Sequence, residues 1–328
     1  MKRIRAAVIG TGYLGKFHAE KYAGLDSAEL VGIVDIDGER AAEVAGSLGC
    51  DSYTSYEEIL DKVDAVSIVT PTETHFSIGR DFLSKGVNVL MEKPMTVTSD
   101  EAEELIEIAE KTGVVLQVGH LERFNAAVVA LEGKLSNPIF IESHRLSNFP
   151  NRGTDVDVVL DLMIHDIDII LNLVKSDVES VDAAGVPIMT DKVDMANARL
   201  RFANGCVANV TASRVSVEST RQIKLYQSDA YISIDYAKQN ITTYKRKEGA
   251  GGSPPSIVGE EFHIVRKDTL LEEIKSFLSC ITEEKPPLVS GHDGKRALEV
   301  AQLIQDSVKS SMERFTDFND LARTVESS

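Results

Sequence analysis

An apolar stretch from Arg5 to Ile9 runs straight into Gly10-Thr11-Gly12-Tyr13-Leu14-Gly15, and helix-forming residues follow from Lys16. Few folds place three glycines at that spacing where a buried strand turns into a helix. The first permits a tight turn, the second lets main chain approach a pyrophosphate, and the third lets helix and strand pack closely. The helix then offers the phosphates unpaired N–H groups and the positive end of its dipole. A second apolar strand, Leu30 to Val34, ends in Asp35, where a carboxylate can hold the ribose hydroxyls of an adenosine. Gly10, Thr11, Gly12, Tyr13, Leu14, Gly15 and Asp35 are therefore expected to bind a dinucleotide. A carboxylate at Asp35 repels a 2′-phosphate, so NAD is expected in preference to NADP. Asp37 strengthens that preference, and Arg40 is the nearby cation that could offset it.

Strand and helix patterns alternate through the first part of the chain: helices at 38–48, 55–62, 75–85 and 99–111, strands near Tyr53 and at 65–70, 87–91 and 114–118. Thr98 and Glu101 have the spacing of a capping box for the fourth of these helices. Such βα alternation predicts a doubly wound parallel sheet, a Rossmann domain over residues 1–121. Beyond it the pattern changes to a short helix at 125–135, a strand at 139–146 and a long apolar helix at 155–174. Strand-like segments then dominate, with Asn204-Gly205 a strong hairpin signal and Ser228-Asp229 a weaker one. Residues 247–259, rich in Gly, Ser and Pro, read as a loop, and helices at 269–282 and 292–312 finish the chain. The expected second domain, 122–328, is α/β with a mostly antiparallel open sheet, suited to binding substrate and building oligomers.

A formal charge of −17 over 328 residues disfavours nucleic acid or an anionic membrane as partner. No apolar run approaches the roughly 20 residues of a membrane span. Met1-Lys2-Arg3-Ile4 leads directly into the first strand, which leaves no place for a signal peptide. Cys50, Cys206 and Cys280 are scattered and odd in number, as expected of a cytoplasmic protein. No His/Cys cluster has zinc spacing, so no metal is expected.

At about 100° per residue, Asp157, Asp161, His165, Asp168 and Asn172 fall within about 80° of one another on the 155–174 helix. The rest of its circumference is apolar except at Asp166. A narrow acidic stripe with a histidine on a buried rod is costly unless it lines a cleft or is internally paired. Asp161 and His165, four apart, can pair, and the carboxylate then orients the imidazole and raises its basicity, as a base for alcohol oxidation requires. Lys93, in Met91-Glu92-Lys93-Pro94, follows a strand, so it belongs at the edge where ligands bind an open parallel sheet, and its ammonium can polarise an oxygen. Lys93-Pro94 is also a candidate cis peptide. Thr70, Pro71, Thr72 and His75 also follow a strand and are expected on the nicotinamide side of the cofactor, with Glu92. His120 is expected to line the crevice. His18, His144, His263 and His292 show no constellation and read as packing or surface residues.

Taken together, Gly10-x-Gly12-x-x-Gly15 with His18, Thr70-Pro71 with His75, Glu92-Lys93-Pro94, and Asp161-x-x-x-His165 with Asp168 resemble the glucose–fructose oxidoreductase/inositol dehydrogenase (Gfo/Idh/MocA) family along essentially the whole chain. The resemblance implies an oxidoreductase acting on CH–OH groups. Lys93, Asp161 and His165 would be its catalytic residues: His165 takes the hydroxyl proton, Asp161 orients it and Lys93 binds the reacting oxygen. It also implies a homodimer or homotetramer built through the carboxy-terminal sheet. Asp168, one turn beyond the histidine, is similar to the acid that holds ring hydroxyls in inositol dehydrogenases. The segments 118–125 and 149–155 instead resemble a branch that oxidises nucleotide sugars, such as UDP-N-acetylglucosamine at C3. With His120, Arg123, Arg145 and Arg152 are then candidates to meet the substrate and its diphosphate. Oxidation of inositol or a free sugar is the alternative, and a non-catalytic dinucleotide-binding regulator is a second.

Overall fold

The computed structural model describes residues 3–131, 135, 137–149, 156–247, 256–262 and 264–326, with side chains as far as 315. The chain divides into two compact units, Met1–Phe124 with Lys267–Leu298, and Asn125–Arg266 with Glu299–Ser328.

In the first unit, β1 (Ile4–Ile9), β2 (Ala28–Val34), β3 (Asp51–Tyr53), β4 (Ala65–Ile68), β5 (Asn88–Glu92) and β6 (Leu116–Gly119) form a parallel sheet in the order β3-β2-β1-β4-β5-β6. The helices between them are α1 (Tyr13–Ala23), α2 (Gly38–Leu48), α3 (Thr72–Ser84) and α4 (Ser99–Thr112). Consecutive residues Ala6, Ala7 and Val8 of β1, and all of β4, are buried, because helices cover both faces of such a sheet. The Thr98–Glu101 capping box starts α4, and Gly113, in the left-handed region, ends it. Strand order reverses between β1 and β4, and at such a switch point the carboxyl ends of the strands open a crevice for ligands. Gly10 and Thr70 flank that point; Asp35, Lys93 and His120 follow β2, β5 and β6 along the same edge. The helix expected over 55–62 is reduced to a single 3-10 turn, Tyr56–Glu58.

Two later segments complete this unit. Helix α5 (Ala126–Val129) and helix α6 (Ile164–Val174) lie in the second unit, whereas α7 (Thr269–Thr282) and the first turns of α8 (Gly291–Glu326) belong to the first. Leu270, Ile274, Phe277 and Leu278, at helical spacing on one side of α7, pack into a core with Ala19, Tyr22 and Ile33. The sequence expectation runs the second domain unbroken from residue 122 to 328, whereas in the structure Lys267–Leu298 groups with the first unit. Local pattern shows that a helix has an apolar face, but not which sheet that face meets.

The second unit is built on an eight-stranded sheet, β14-β13-β12-β11-β7-β10-β9-β8. Its strands are β7 (Phe140–Leu146), β8 (Val178–Val186), β9 (Met195–Phe202), β10 (Val207–Ser213), β11 (Thr220–Tyr226), β12 (Ala230–Asp235), β13 (Asn240–Lys247) and β14 (Ser256–Phe262). Only β7 and β10 pair in parallel; the other neighbours are antiparallel. Asn204-Gly205 forms the expected turn between β9 and β10, with Gly205 at a φ of 87°. Burial alternates along β7 and β9, so one face of the sheet is covered and the other open. Helix α6 packs on β7 and β10. Two strands depart from expectation. Residues 256–259, read as loop, begin β14, and β13 was not foreseen. Both carry charged runs that look like loop, and they are strands because each pairs with a neighbour. The Gly/Pro-rich 249–255 segment and His263 lie outside the described residues.

Candidate active site

The glycine turn has the geometry its spacing requires. Gly10 has a φ of 87°, and a Cβ on it would stand 2.6 Å from the Val69 carbonyl oxygen. A Cβ on Gly15 would stand 1.9 Å from the Gly10 carbonyl oxygen, so α1 can leave β1 this sharply only without one. A Cβ on Gly12 would meet nothing within 4 Å. No structural contact demands glycine there, and the space beside Gly12 is open enough to serve as a cradle for a close ligand. Gly12 is also the N-cap of α1 and makes no side-chain cap, so the first-turn N–H groups are not satisfied by a capping side chain. Tyr13 is exposed and Leu14 half-buried beside it.

Asp35 is almost fully buried. Its carboxylate accepts from the Thr11 N–H (2.7 Å) and hydroxyl (2.8 Å), from the Asp37 N–H (2.9 Å), and from Nε (3.1 Å) and Nη2 (2.6 Å) of Arg40. Burial alone would raise its pKa, but the Arg40 guanidinium and these N–H donors outweigh it and hold the carboxyl at about 2. Asp35 is therefore an anion at every physiological pH. Arg40, the cation that could offset the preference by receiving a 2′-phosphate, is drawn onto Asp35 instead. The donor set fits NAD: a helix N-terminus with no side-chain cap and a fixed carboxylate beyond it.

At the ends of β4 and β5, the ring of His75 bridges two ligand-bearing turns. Its Nδ1 lies 3.0 Å from the Pro94 carbonyl oxygen and its Nε2 2.8 Å from that of Thr70. A neutral ring can donate to one of these oxygens and only a charged ring to both; burial holds its pKa below the usual value. His75 is thus a brace between the Thr70-Pro71-Thr72 turn and the Lys93-Pro94 turn, whose peptide bond is cis. Thr70 and Thr72 are half-buried and Pro71 exposed, so the turn itself remains open. Lys93 is half-buried, and its N–H donates to Oε2 of Glu92. His120, after β6, is 1% exposed, and its Nδ1 has no hydrogen-bond partner among the described residues. Burial, then the positive charges of Lys93 and Arg123, lower its pKa to about 3. It is a neutral imidazole with an unused nitrogen.

In the second unit, residues expected to form one regular helix do not. Val159–Met163 is a turn of π-helix, which packs on β10 and leads into α6. Asp161 lies in the π turn, and His165 and Asp168 lie in α6; the first two are half-buried and Asp168 buried. π turns insert a residue into the helical repeat and are frequent at functional sites. Asp157 sits before this turn, where it accepts from the N–H groups of Val159 and Leu160 and from Gln305. It is a structural cap and not part of a reactive stripe.

The profile of an oxidoreductase family with an NAD-binding Rossmann fold matches residues 4–120, and the profile of a GFO/IDH/MocA C-terminal domain matches residues 127–233. The chain belongs to the Gfo/Idh/MocA family. It is 39% identical over 315 residues to UDP-N-acetylglucosamine 3-dehydrogenase of Acidithiobacillus ferrooxidans, covering 96% of this chain and 100% of that protein. A solved structure of the A. ferrooxidans enzyme matches with a TM-score of 0.90 and 40% identity, over 94% of this chain and 99% of that one. Myo-inositol 2-dehydrogenase of Thermotoga maritima is 29% identical, covering 94% of this chain and 96% of its own. This Gfo/Idh/MocA protein is accordingly an NAD-dependent oxidoreductase.

The arginines expected to meet a diphosphate are placed differently from one another. Arg145 of β7 is 4% exposed and grips Asp166 of α6, Nε to Oδ2 at 2.7 Å and Nη2 to Oδ1 at 3.3 Å. That pair explains the lone acid on the apolar side of the helix and removes Arg145 from the list of diphosphate ligands. Arg123 is 6% exposed and donates to the Leu288 carbonyl within the first unit. Arg152 lies outside the described residues. His18, read from the sequence as a packing or surface residue, is fully buried with its ring between Ser67 and Glu92. His144, half-buried, lies near Glu142, and His292, exposed, lies near Glu110.

Proposed function

We propose that this protein oxidises a secondary hydroxyl of a nucleotide-linked amino sugar, UDP-N-acetylglucosamine at C3. The observation that carries the reading is 39% identity over nearly the whole chain to a UDP-N-acetylglucosamine 3-dehydrogenase, against 29% to a myo-inositol 2-dehydrogenase. Bound NAD supplies the two-electron acceptor, held by Gly10, Thr11, Gly12, Tyr13, Leu14, Gly15 and Asp35, with Thr70, Pro71, Thr72, His75, Glu92 and Lys93 toward the nicotinamide. The Lys93 ammonium binds the reacting oxygen and favours its alkoxide character. His165 takes the hydroxyl proton on its imidazole, and Asp161, one turn before it, fixes the ring and favours its protonated form. His120, Asp168, Arg123 and Arg152 are the further substrate contacts.

The test is reduction of NAD by the purified protein with UDP-N-acetylglucosamine, UDP-glucose, myo-inositol and glucose, with a carbonyl reagent to draw the equilibrium forward. Reduction with UDP-N-acetylglucosamine alone is expected. Reduction with myo-inositol or glucose instead overturns the substrate, and NAD binding with no reduction by any alcohol makes the protein a regulator. Lys93→Met should retain NAD affinity while turnover falls by about 10²- to 10⁴-fold, the range for loss of one acid–base or electrostatic group.

We also propose a homodimer or homotetramer through the open face of the carboxy-terminal sheet, in the cytoplasm. An aromatic ladder crosses four strands of that sheet, Phe140–Tyr226–Tyr231–Tyr244, with ring centroids 5.7, 4.9 and 5.2 Å apart. Its cysteines are free thiols, as a reducing compartment keeps them. Light scattering after size exclusion should give a mass of two or four chains, and Tyr231→Asp should lower it.

A further inference from the structure

Next to Lys93 in the chain, Glu92 enters a polar cluster almost closed to solvent. His18 and Tyr22 come from α1, Ser67 from β4, Glu92 from β5, Gln117 from β6 and Glu273 from α7; none is more than 8% exposed. One oxygen each from Glu92 and Glu273 and a ring nitrogen of His18 lie within 4.8 Å of one another. Glu92 is well served, since Oε2 accepts the Lys93 N–H at 3.2 Å and Oε1 faces His18 Nε2 at 3.2 Å. Glu273, with no exposure at all, has no hydrogen-bond partner at either oxygen among the described residues. Gln117 donates only to its main-chain oxygen. Two carboxylates this close, away from water, cannot both be charged, and the charge settles where donors converge.

We propose that Glu92 and Glu273 hold one proton between them, carried by Glu273, and that this neutral acid keeps Glu92 charged and seated against the main chain of Lys93. The surrounding hydrogen bonds then have a single consistent direction. With His18 Nε2 donating to Glu92, its Nδ1 is left to accept from Ser67 (3.2 Å), and Ser67 in turn accepts from the Tyr22 hydroxyl (2.9 Å). Burial and the Glu92 charge both raise the Glu273 carboxyl well above the ordinary range. Ionising Glu273 would place a second anion beside Glu92 and unseat the side chain that fixes the Lys93 peptide. Glu273 is thus a positioning residue. Its proton is independent of the catalytic assignment, but its positioning role rests on Lys93 holding the reacting oxygen.

The test uses the full chain. At neutral pH, infrared spectra of the wild type should contain a protonated-carboxyl carbonyl band that Glu273→Gln removes and Glu273→Asp shifts. A folded-state proton that the unfolded chain releases makes stability fall as pH rises. The wild type should therefore lose about tenfold in folding constant per pH unit relative to Glu273→Gln, from about pH 5 to the pH at which Glu273 ionises. Glu273→Ala should lower turnover and Glu273→Gln restore it, because glutamine has the shape of the neutral acid. Absence of the band, or a stability difference that does not vary with pH, overturns the proposal. So does a stoichiometric divalent ion in the wild type that Glu273→Gln loses, which would make the trio a metal site. If the band and the pH dependence hold while Lys93→Met retains full turnover, the Lys93 assignment fails and the shared proton stands.

Discussion

Gly12 and Gly15 sit three residues apart in one turn, yet a methyl group added to each should fail in different ways. At Gly12 the backbone (φ −60°, ψ −164°) is open to alanine, and the new Cβ would meet no atom within 4 Å. The unfolded chain loses freedom, a gain of about 0.4–1 kcal/mol for the fold, while alanine is a poorer N-cap than glycine by a similar amount. Stability of Gly12→Ala should therefore stay within about 1 kcal/mol of the wild type. The methyl instead fills the space a pyrophosphate needs against main chain. Taking the about 1–3 kcal/mol typical of forcing extra volume into a fitted contact, NAD affinity should fall about 5- to 160-fold. In Gly15→Ala the Cβ would stand 1.9 Å from the Gly10 oxygen, an overlap that only a shift of the turn relieves. That variant should lose both stability, by about 1–3 kcal/mol or more, and NAD binding. Calorimetric titration with NAD, beside thermal unfolding without it, separates the two. If Gly12→Ala folds normally and binds NAD within about twofold of the wild type, the cofactor does not approach main chain at Gly12, and the cradle has been misplaced.

Further expectations follow from the buried charges. Asp166→Asn leaves the Arg145 guanidinium buried without its anion, so urea unfolding should show a loss of about 3–5 kcal/mol; a loss under about 1 kcal/mol would mean the pair contributes little. Asp35, held at about 2 in the fold, contributes stability that is complete above the ordinary aspartate range and is lost as pH falls through about 4 to 2. Because Arg40 is half-exposed, that contribution is on the order of 1–2 kcal/mol, and Asp35→Ala should flatten the acid limb of the stability curve accordingly. The same substitution should weaken NAD binding and release Arg40, narrowing the preference over NADP about tenfold or more in direct titrations. An unchanged ratio would show that Asp35 does not discriminate between them.

The turn from β1 to α1, the acid closing β2, the Thr98 cap and the Asn204-Gly205 hairpin were legible because each rests on local chemistry. Turn conformations, caps and strand-to-helix packing are fixed by residues a few positions apart, and glycine spacing or a cap–Glu pair records them directly. The same holds for Lys93 and His120, since the ends of parallel strands can be counted from the βα alternation. What depended on distant partners was not legible. Arg145 reads as a cation free to meet a diphosphate until β7 sets it opposite Asp166, 21 residues away. The long apolar helix reads as regular at 3.6 residues per turn, but a π turn that includes Asp161 and packs on β10 changes which side chains share its face. Segment 256–259 reads as loop and becomes strand because β13 offers it a pairing edge. His18, Glu92 and Glu273 lie on three separate segments, and only the return of α7 to the first unit closes a carboxylic acid over the other two. Sequence therefore determined the dinucleotide fold and the identity of the polar groups at its edge. Tertiary structure decided which charges are consumed by partners, since burial removes water and leaves each charge dependent on whatever the fold brings beside it.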